Sequence, residues 1–457
     1  MRKIFGTDGV RGTANQYPMT VEVALQLGRA IAYVMKREHE GSKIVVGKDT
    51  RISCYMFEEA IAAGICSMGV DVYLVGPMPT PGIAFLTRSM RCDAGVMISA
   101  SHNHYQDNGI KFFSRDGFKL PDAQEAEIET LLFSEKLNLH RPIAKNIGKA
   151  HRMEDASGRY IEFLKKSFPK ELTLEGIKIV VDCANGATYK IAPMLFQELG
   201  AQVSSIGVSP NGYNINDSCG SQYTDALIAK VQEQHADLGI AFDGDGDRVI
   251  LADQSGKIID GDYQMAYVGM HLKQKGTLLK NTIVSTIMSN FGFEKALEKK
   301  DIQLIRTQVG DRYVVERMIQ DGYNFGGEQS GHIIFLDHNT TGDGMMGALQ
   351  VLSCLRHDNI PLINLTNLIE RFPQILMNVK VKQKKNIDEI DGLISKIHEI
   401  GKALGNRGRV VVRPSGTEAK IRVMVEGENE KTITDYAYQL IDIIEKSELK
   451  YDGKAGS

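Results

Sequence analysis

The 457-residue sequence has little net charge, few cysteines and no long apolar run. Its 54 basic and 57 acidic residues give a formal charge of −3, which leaves no basic footprint for nucleic acid. Its six cysteines form no C-x-x-C pair, so we expect reduced, mostly packed thiols. No stretch approaches the ~18 apolar residues of a transmembrane helix, and the amino terminus lacks an apolar signal segment. We therefore expect a cytoplasmic monomer or homodimer with no nucleic-acid or membrane partner.

Short β-branched runs alternate with helical patterns along most of the chain. This alternation predicts βαβ units, and hence an α/β fold with mainly parallel mixed sheets. We expect three successive similar α/β domains over residues 1–155, 156–257 and 258–370. The pattern that follows favours a smaller C-terminal α+β domain over 371–447, and the small polar residues of 448–457 indicate a tail.

Several elements of this pattern can be placed directly. Apolar residues recur at helical spacing over 21–38 and 57–68, and a long helix is expected over 388–404. Buried strands are expected over 93–98 and 238–242. Each of these two strands runs into a polar segment, and ligands in open α/β sheets bind at the carboxyl ends of strands.

Three carboxylates follow the second of these strands, within the segment Asp243–Arg248 (DGDGDR). In an extended chain, positions i, i+2 and i+4 project to one side, so the three aspartates converge. Three like charges repel unless a cation lies among them, and carboxylate oxygens suit Mg²⁺ or Ca²⁺. An EF-hand is excluded because its sixth position is Arg248 and its twelfth is Gln254. The alternative is an acidic, solvated turn.

A serine beside a histidine follows the first strand, at Ser101 and His102. A hydroxyl at a strand end next to an imidazole is a candidate activated nucleophile. The same residues also suit an ordinary turn, and the hydrolase pattern G-x-S-x-G is absent around Ser101.

Two further polar segments suit a sugar phosphate. Arg413–Glu418 (RPSGTE) offers a guanidinium, two hydroxyls and backbone N–H groups for a phosphate, and Arg422 follows it. Gly327–His332 (GEQSGH) offers donors and acceptors for sugar hydroxyls. Each segment is also compatible with a plain turn. A Walker A loop and a G-x-G-x-x-G fingerprint are both absent, so the predicted phosphate site is not of the nucleotide type.

Taken in order, these segments resemble those of the α-D-phosphohexomutase family, most closely its bacterial amino-sugar branch. The resemblance covers residues 1–447. Two more segments carry it, Phe5–Gly12 (FGTDGVRG) and Gly47–Arg51 (GKDTR). It implies four domains around one cleft, the fourth a smaller lid. The sequence departs from the family at His104, where the family usually has proline. Without proline, the serine loop is expected to be less rigid.

The resemblance also implies a role for each polar segment. Ser101 would be a phosphoserine that carries the transferable group and, together with Asp243, Asp245 and Asp247, would hold one Mg²⁺. The implied catalytic residues are Ser101, His102, Lys111 and Arg11. The implied substrate-binding residues are Arg51, Arg248, Glu328, Ser330 and His332. The implied phosphate-binding residues are Arg413, Ser415, Gly416, Thr417 and Arg422.

The implied reaction is the interconversion of glucosamine 6-phosphate and glucosamine 1-phosphate, for amino-sugar nucleotide and cell-wall precursor synthesis. It would use glucosamine or glucose 1,6-bisphosphate as intermediate or activator. Glucose or mannose phosphate is the alternative substrate. A metal-dependent sugar phosphatase would share the carboxylates without needing Ser101 or a second phosphate site. A non-catalytic sensor would be expected to have lost Ser101 or the aspartates, and all of them are present.

Overall fold

The structure is a computed structural model that describes residues 4–6, 8–36, 41–382, 386–414 and 419–452. The chain divides into two compact units. The first unit comprises Met1–Thr286 and Leu304–Thr366, and the second comprises Ile287–Gln303 and Asn367–Ser457.

The first sheet is mixed and has six strands. They are β1 (Val10–Thr13), β2 (Lys43–Lys48), β3 (Asp71–Pro77), β4 (Ala94–Ile98), β5 (Asp107–Ser114) and β6 (Ala150–Arg152), in the order β1-β5-β4-β2-β3-β6. The helices are α1 (Val21–Met35), α2 (Ile52–Cys66), α3 (Thr80–Ser89) and α4 (Asp122–Leu132). Strand β5 runs antiparallel to β4, and the serine segment forms the loop that joins the two strands.

The helix bounds in this region differ from the predicted ones. Helix α1 ends at Met35, three residues before the predicted position. Helix α2 begins at Ile52, five residues early, because it is buried on several sides and its first turn carries no amphipathic pattern. Helix α3 was not predicted, since most of its residues are buried and it begins beside Pro81.

The second sheet has five strands and is also mixed. They are β7 (Lys178–Asp182), β8 (Gln202–Ile206), β9 (Leu238–Phe242), β10 (Val249–Asp253) and β11 (Ile258–Ile259), in the order β11-β10-β9-β7-β8. The helices of this region are α5 (Ala156–Lys166), α6 (Ile191–Glu198) and α7 (Asp225–Gln234). Strands β9 and β10 are antiparallel, so the acidic segment forms the turn of a hairpin.

The third sheet has four strands. They are β12 (Thr282–Thr286), β13 (Gln303–Thr307), β14 (Phe325–Gly327) and β15 (Ile333–Phe335), in the order β13-β12-β14-β15. The helices are α8 (Gly261–Gln274), α9 (Phe291–Glu298), α10 (Asp311–Asp321) and α11 (Gly344–Asp358). Helix α9 belongs to the second unit.

The second unit contains a three-stranded antiparallel sheet. Its strands are β16 (Gln374–Lys380), β17 (Gly408–Pro414) and β18 (Lys420–Gly427), in the order β16-β18-β17, with helices α12 (Leu393–Leu404) and α13 (Glu430–Asp452). The prediction of one helix over 388–404 was wrong at its start. Gly392 has a φ of +78°, so α12 begins only at Leu393.

The architecture confirms the predicted fold class of three α/β regions with mixed sheets followed by a smaller α+β region. All six cysteines are free thiols and five of them are buried, as expected. Across the described ranges, no helix combines the length and apolarity needed to cross a bilayer.

Candidate active site

The serine segment is held by side chains from loops of the first and second α/β regions. Ser101 has a φ of +52°, a left-handed conformation that costs energy for a residue with a side chain. Its carbonyl oxygen accepts hydrogen bonds from Arg51 Nη2 (3.0 Å) and from Asn216 Nδ2 (2.9 Å). Its backbone N–H donates to Ser99 Oγ (2.9 Å), which in turn donates to Asp49 (2.6 Å). The surrounding structure therefore fixes the strained serine.

The three aspartates converge as predicted, although by a different geometry. Asp243, Asp245 and Asp247 lie in a turn rather than an extended chain, and their oxygens lie within 4.8 Å of one another. A side chain at Gly244 would place Cβ 2.6 Å from the Ser101 carbonyl oxygen, so only glycine lets the two loops approach. Ser101 Oγ donates to Asp243 Oδ2 at 2.5 Å.

The carboxylate cluster fits a hard divalent cation. One oxygen of Asp245 and one of Asp247 are buried and make no hydrogen bond within the described residues. Burial and the charges of Asp247 and Asp245 raise the pKa of Asp243 well above its usual range. Buried carboxylate oxygens that lack donors are suitable ligands for Mg²⁺.

Lys111, on β5, provides a positive charge beside this cluster. Its Nζ lies 2.8 Å from Asp245, 3.2 Å from Asp8 and 3.7 Å from Asp247. Burial alone lowers the pKa of Lys111, but the attraction of Asp245, Asp8 and Asp247 outweighs it and raises the pKa. The ammonium group therefore stays protonated and acts as a fixed charge.

Six side chains of alternating charge form a closed ring around one side of the site. His332 lies between Asp247 (3.6 Å) and Asp311 (3.2 Å), which outweigh burial and raise the pKa of His332 to about 10. Lys119 lies 2.6 Å from Asp311 and 2.5 Å from Asp8. In order, the ring is Asp8, Lys111, Asp247, His332, Asp311 and Lys119.

The His102 imidazole lies next to the serine hydroxyl, with Nδ1 3.4 Å from Ser101 Oγ. Burial, followed by the charges of Arg248 and Arg11, lowers the pKa of His102 to about 4. The imidazole is therefore neutral at neutral pH. Arg11 pairs with Asp8, and the backbone N–H of Arg248 donates to Asp243 Oδ1 at 3.2 Å.

A cavity of about 170 Å³ adjoins the serine. Its lining includes Arg11, Ser101, Arg248, Tyr313, Glu328 and His332. Glu328 Oε1 accepts a hydrogen bond from the Gly310 N–H (3.1 Å), which orients the carboxylate. The buried Ser330 hydroxyl makes no hydrogen bond in the described part of the chain. Positive and hydrogen-bonding groups thus share one cavity.

Three predicted site residues have surroundings that sequence alone does not reveal. Arg51 is fully buried and donates to main-chain carbonyls, so it supports the serine loop and lies away from the cavity surface. In the second unit, Arg413 and Arg422 lie directly opposite each other on β17 and β18. Burial and the neighbouring Arg422 lower the pKa of Arg413, and an anion would relieve this repulsion. Ser415, Gly416 and Thr417 lie outside the described residues.

Sequence reasoning missed several residues that organise the site. Asp8 lies inside the Phe5–Gly12 segment, and this membership was its one signal of a role in the site. Lys119, Asp311 and Asn216 have no local pattern around them, because they reach the site from separate parts of the chain. Asn216 begins an N-x-S sequence, which gives no signal for this role.

Comparison with family models matches four successive segments of the chain. They are the phosphoglucomutase/phosphomannomutase alpha/beta/alpha domains I (residues 2–139), II (158–256) and III (260–372), and the C-terminal domain (376–443). The four matches together span well over half of the sequence.

Curated relatives match along nearly the whole length. The phosphoglucosamine mutase of Syntrophotalea carbinolica is 56% identical over 446 residues, which cover 97% of this chain and 98% of the relative. That of Anaeromyxobacter sp. is 57% identical over 450 residues, covering 98% and 96%.

Solved structures share the fold at lower identity. A phosphoglucomutase/phosphomannomutase family protein from Burkholderia thailandensis has a TM-score of 0.78 at 22% identity, covering 96% of each chain. N-acetylphosphoglucosamine mutase from Aspergillus fumigatus, solved with GlcNAc-6P and magnesium, has a TM-score of 0.68 at 17% identity, covering 98% and 96%. With four family models and full-length relatives above 50% identity, the chain belongs to the phosphoglucomutase/phosphomannomutase family.

Proposed function

We propose that this chain is an isomerase that interconverts glucosamine 6-phosphate and glucosamine 1-phosphate. The observation that carries the proposal is the Ser101 hydroxyl, which lies 2.5 Å from a buried cluster of three carboxylates beside a cavity lined with cationic and polar groups. The substrate follows from the likeness to phosphoglucosamine mutases at 56–57% identity.

In the proposed reaction, Ser101 carries a phosphoryl group between turnovers. The bond between phosphorus and Ser101 Oγ breaks as a bond to O1 of glucosamine 6-phosphate forms, which gives the 1,6-bisphosphate. The sugar O1–H proton passes to a base, and the departing Ser101 Oγ takes up a proton to become a hydroxyl. After the bisphosphate reorients, its 6-phosphoryl group moves to Ser101 Oγ, the hydroxyl proton of Ser101 passes to the base, and the departing sugar O6 takes up a proton. Glucosamine 1-phosphate is left. Glucosamine or glucose 1,6-bisphosphate would also phosphorylate a free Ser101.

Positively charged side chains around Ser101 are proposed to stabilise the phosphoryl group during its transfer. Phosphoryl transfer depends mainly on positioning and on neutralising charge. Arg11, Arg248 and the permanently protonated Lys111 provide positive charge around the serine. His102 is proposed as the proton acceptor, because its Nδ1 lies 3.4 Å from Ser101 Oγ and its imidazole is neutral. His332, which the two aspartates keep protonated, is proposed to contribute positive charge to the substrate cavity that it lines.

Asp243, Asp245 and Asp247, with a phosphate oxygen on Ser101, are proposed to hold one Mg²⁺. When bound, this ion would neutralise charge on the transferring group. Glu328 and Ser330 are proposed to bind sugar hydroxyls or the amino group, since both offer hydrogen-bonding atoms at or near the cavity. Arg413, Ser415, Gly416, Thr417 and Arg422 are proposed to bind the phosphate that does not react. The opposed Arg413 and Arg422 support this assignment.

We also propose the domain boundaries, the cellular location and the oligomeric state of the protein. Domain boundaries near residues 155, 257 and 370 are proposed, with a cytoplasmic enzyme that acts as a monomer or homodimer. Its product would supply amino-sugar nucleotide and cell-wall precursor synthesis.

The test is a comparison of kcat/KM for the 6-phosphates of glucosamine, glucose and mannose, each with its 1,6-bisphosphate and Mg²⁺. We expect a clear preference for glucosamine 6-phosphate, because a buried site built for one polar group leaves that group unpaired with the wrong sugar. A preference for glucose or mannose would overturn the substrate assignment. Release of inorganic phosphate at the rate of substrate loss would favour a phosphatase instead.

A further inference from the structure

Helices α8 and α11 begin at the active-site loops and end far from them. The N–H of Gly261 donates to the Gln329 carbonyl, and the N–H of Gly344 donates to the Gly246 carbonyl, each at 3.0 Å. At 1.5 Å per residue, the last turns of the two helices lie about 15–20 Å away along their axes. His271, on α8, and His357 and Asp358, on α11, meet in these last turns.

The three side chains have the spacing of a metal site. Their ligand atoms all lie within 4.8 Å of one another. His271 Nδ1 lies 3.6 Å from Asp358 Oδ1, and His357 Nδ1 lies 3.0 Å from the same oxygen. Nitrogen and oxygen ligands at tetrahedral zinc stand about 3.3 Å apart, given bonds of roughly 2.0–2.2 Å. The observed separations lie on either side of that value.

The buried imidazole of His271 is unsatisfied in this arrangement. Its exposed fraction is 5%, and neither ring nitrogen makes a hydrogen bond within the described residues. The ring instead meets that of His357 edge to face, with centroids 4.9 Å apart. An ordinary helix contact leaves Nδ1 at 3.6 Å from Asp358, beyond hydrogen-bond distance, whereas a cation between the two groups would be bound by both.

The residues around the three side chains orient the Asp358 carboxylate, and most of the nearby charge attracts a cation. Tyr267 Oη donates to Asp358 Oδ2 at 2.8 Å, which leaves Oδ1 facing both histidines. Carboxylates that bind metals in proteins typically accept a hydrogen bond of this kind on their other oxygen. The carboxyl ends of both helices carry negative partial charge, which attracts cations. Lys275 carries a positive charge that would repel a bound cation, but its side chain is exposed and can turn toward solvent.

We propose that His271, His357 and Asp358 form a second metal site, which binds a divalent transition-metal ion of the zinc type. Two imidazoles with one carboxylate select such an ion over Mg²⁺, whereas the all-carboxylate cluster at Ser101 has the opposite preference. The site joins the ends of α8 and α11, so its occupation is expected to stabilise the protein without taking part in the reaction.

The test is a Zn²⁺ titration of the full-length, metal-stripped protein in millimolar Mg²⁺, with a fluorescent zinc indicator as competitor. We expect one Zn²⁺ per chain in the wild type and in Asp245→Asn, which alters only the carboxylate cluster. His357→Ala should weaken binding more than 100-fold, and Tyr267→Phe should weaken it about 10-fold, as the loss of an orienting partner does. His398→Ala, at an exposed histidine elsewhere, is the matched control and should bind as the wild type does.

His271→Gln should also abolish binding, and circular dichroism checks that this buried variant is folded. His357 is exposed, so its variant decides the outcome if His271→Gln unfolds. Absence of saturable Zn²⁺ binding in the wild type would overturn the proposal. Binding that Asp245→Asn abolishes and His357→Ala leaves unchanged would overturn it equally.

Discussion

Asn216 donates its side-chain amide to the main-chain carbonyl of Ser101 at 2.9 Å, and to that of Asn103 at 3.0 Å. Arg51 donates to the same two carbonyls from another direction. The serine hydroxyl donates to Asp243 from this left-handed backbone conformation. The two donors therefore position the nucleophile without contacting the substrate.

Replacing the donor at this position should slow the reaction without weakening substrate binding. Asn216→Asp keeps the shape of the side chain but replaces its N–H groups with an acceptor. We expect kcat to fall at least 10-fold with KM changed less than 3-fold, since a tenfold loss corresponds to about 1.4 kcal/mol. Asn364→Ala, at an exposed asparagine, is the control. An unchanged kcat in Asn216→Asp would show that Arg51 alone is sufficient.

The carboxylate cluster should make activity depend on a divalent metal. Chelation is expected to abolish turnover and Mg²⁺ to restore it. Asp245→Asn should lose at least 100-fold in kcat/KM, because Asp245 also receives hydrogen bonds from Thr80 (2.5 Å) and Lys111 (2.8 Å). The exposed Asp217→Asn provides the control. Full activity of Asp245→Asn, with no greater need for metal, would contradict the assignment.

His104 should tolerate a proline, the residue that the family resemblance leads us to expect at this position. Within the described residues its backbone N–H makes no hydrogen bond, and its side chain is exposed. His104→Pro is expected to raise stability by about 0.5–1 kcal/mol through the unfolded state, while kcat changes less than 3-fold. Thermal denaturation and the mutase assay test this together. A large loss of activity in a folded variant would reveal a chemical role for the imidazole.

The Asp343 carboxyl should make stability depend on pH. It accepts from Tyr160 Oη (2.7 Å) and from the Met346 N–H at the start of α11 (3.0 Å), yet burial raises its pKa to about 6. The folded state therefore favours the protonated carboxyl. The resulting stabilisation is complete below about pH 4 and is lost as pH rises through 6, by up to about 3 kcal/mol.

The measurement is Tm from pH 4.5 to 7.5 for the wild type and for Asp343→Asn, which cannot ionise. The Tm of the wild type relative to the variant is expected to fall across this range. A difference that stays constant or rises with pH would mean that Asp343 is ionised throughout.

The sequence predicted the parts of the site that are local. Asp243, Asp245 and Asp247 stand two residues apart, and Ser101 follows a buried strand, so pattern and chemistry indicated both. The reason given for the aspartates was wrong, because they converge through the turn between β9 and β10 and not through an extended strand. Spacing alone cannot separate the two geometries.

The parts that depend on distant contacts could not be predicted. Lys119 and Asp311 are 192 positions apart and meet only in the folded chain. Nothing near Arg51 distinguishes a side chain that supports a loop from one that contacts substrate. Helix α3 was not predicted because its first turn contains Pro81 and Gly82, which usually indicate a turn.

The central claim is that Ser101 passes its phosphoryl group to a sugar phosphate. The most direct measurement uses protein labelled with ³²P on Ser101, freed of excess label, and mixed with glucosamine 6-phosphate and Mg²⁺ in a single turnover. The account predicts that label leaves the protein and appears in glucosamine 1,6-bisphosphate and then in glucosamine phosphates, while Ser101→Ala takes up no label. Label that remains on the protein, or that is released as inorganic phosphate, would contradict it.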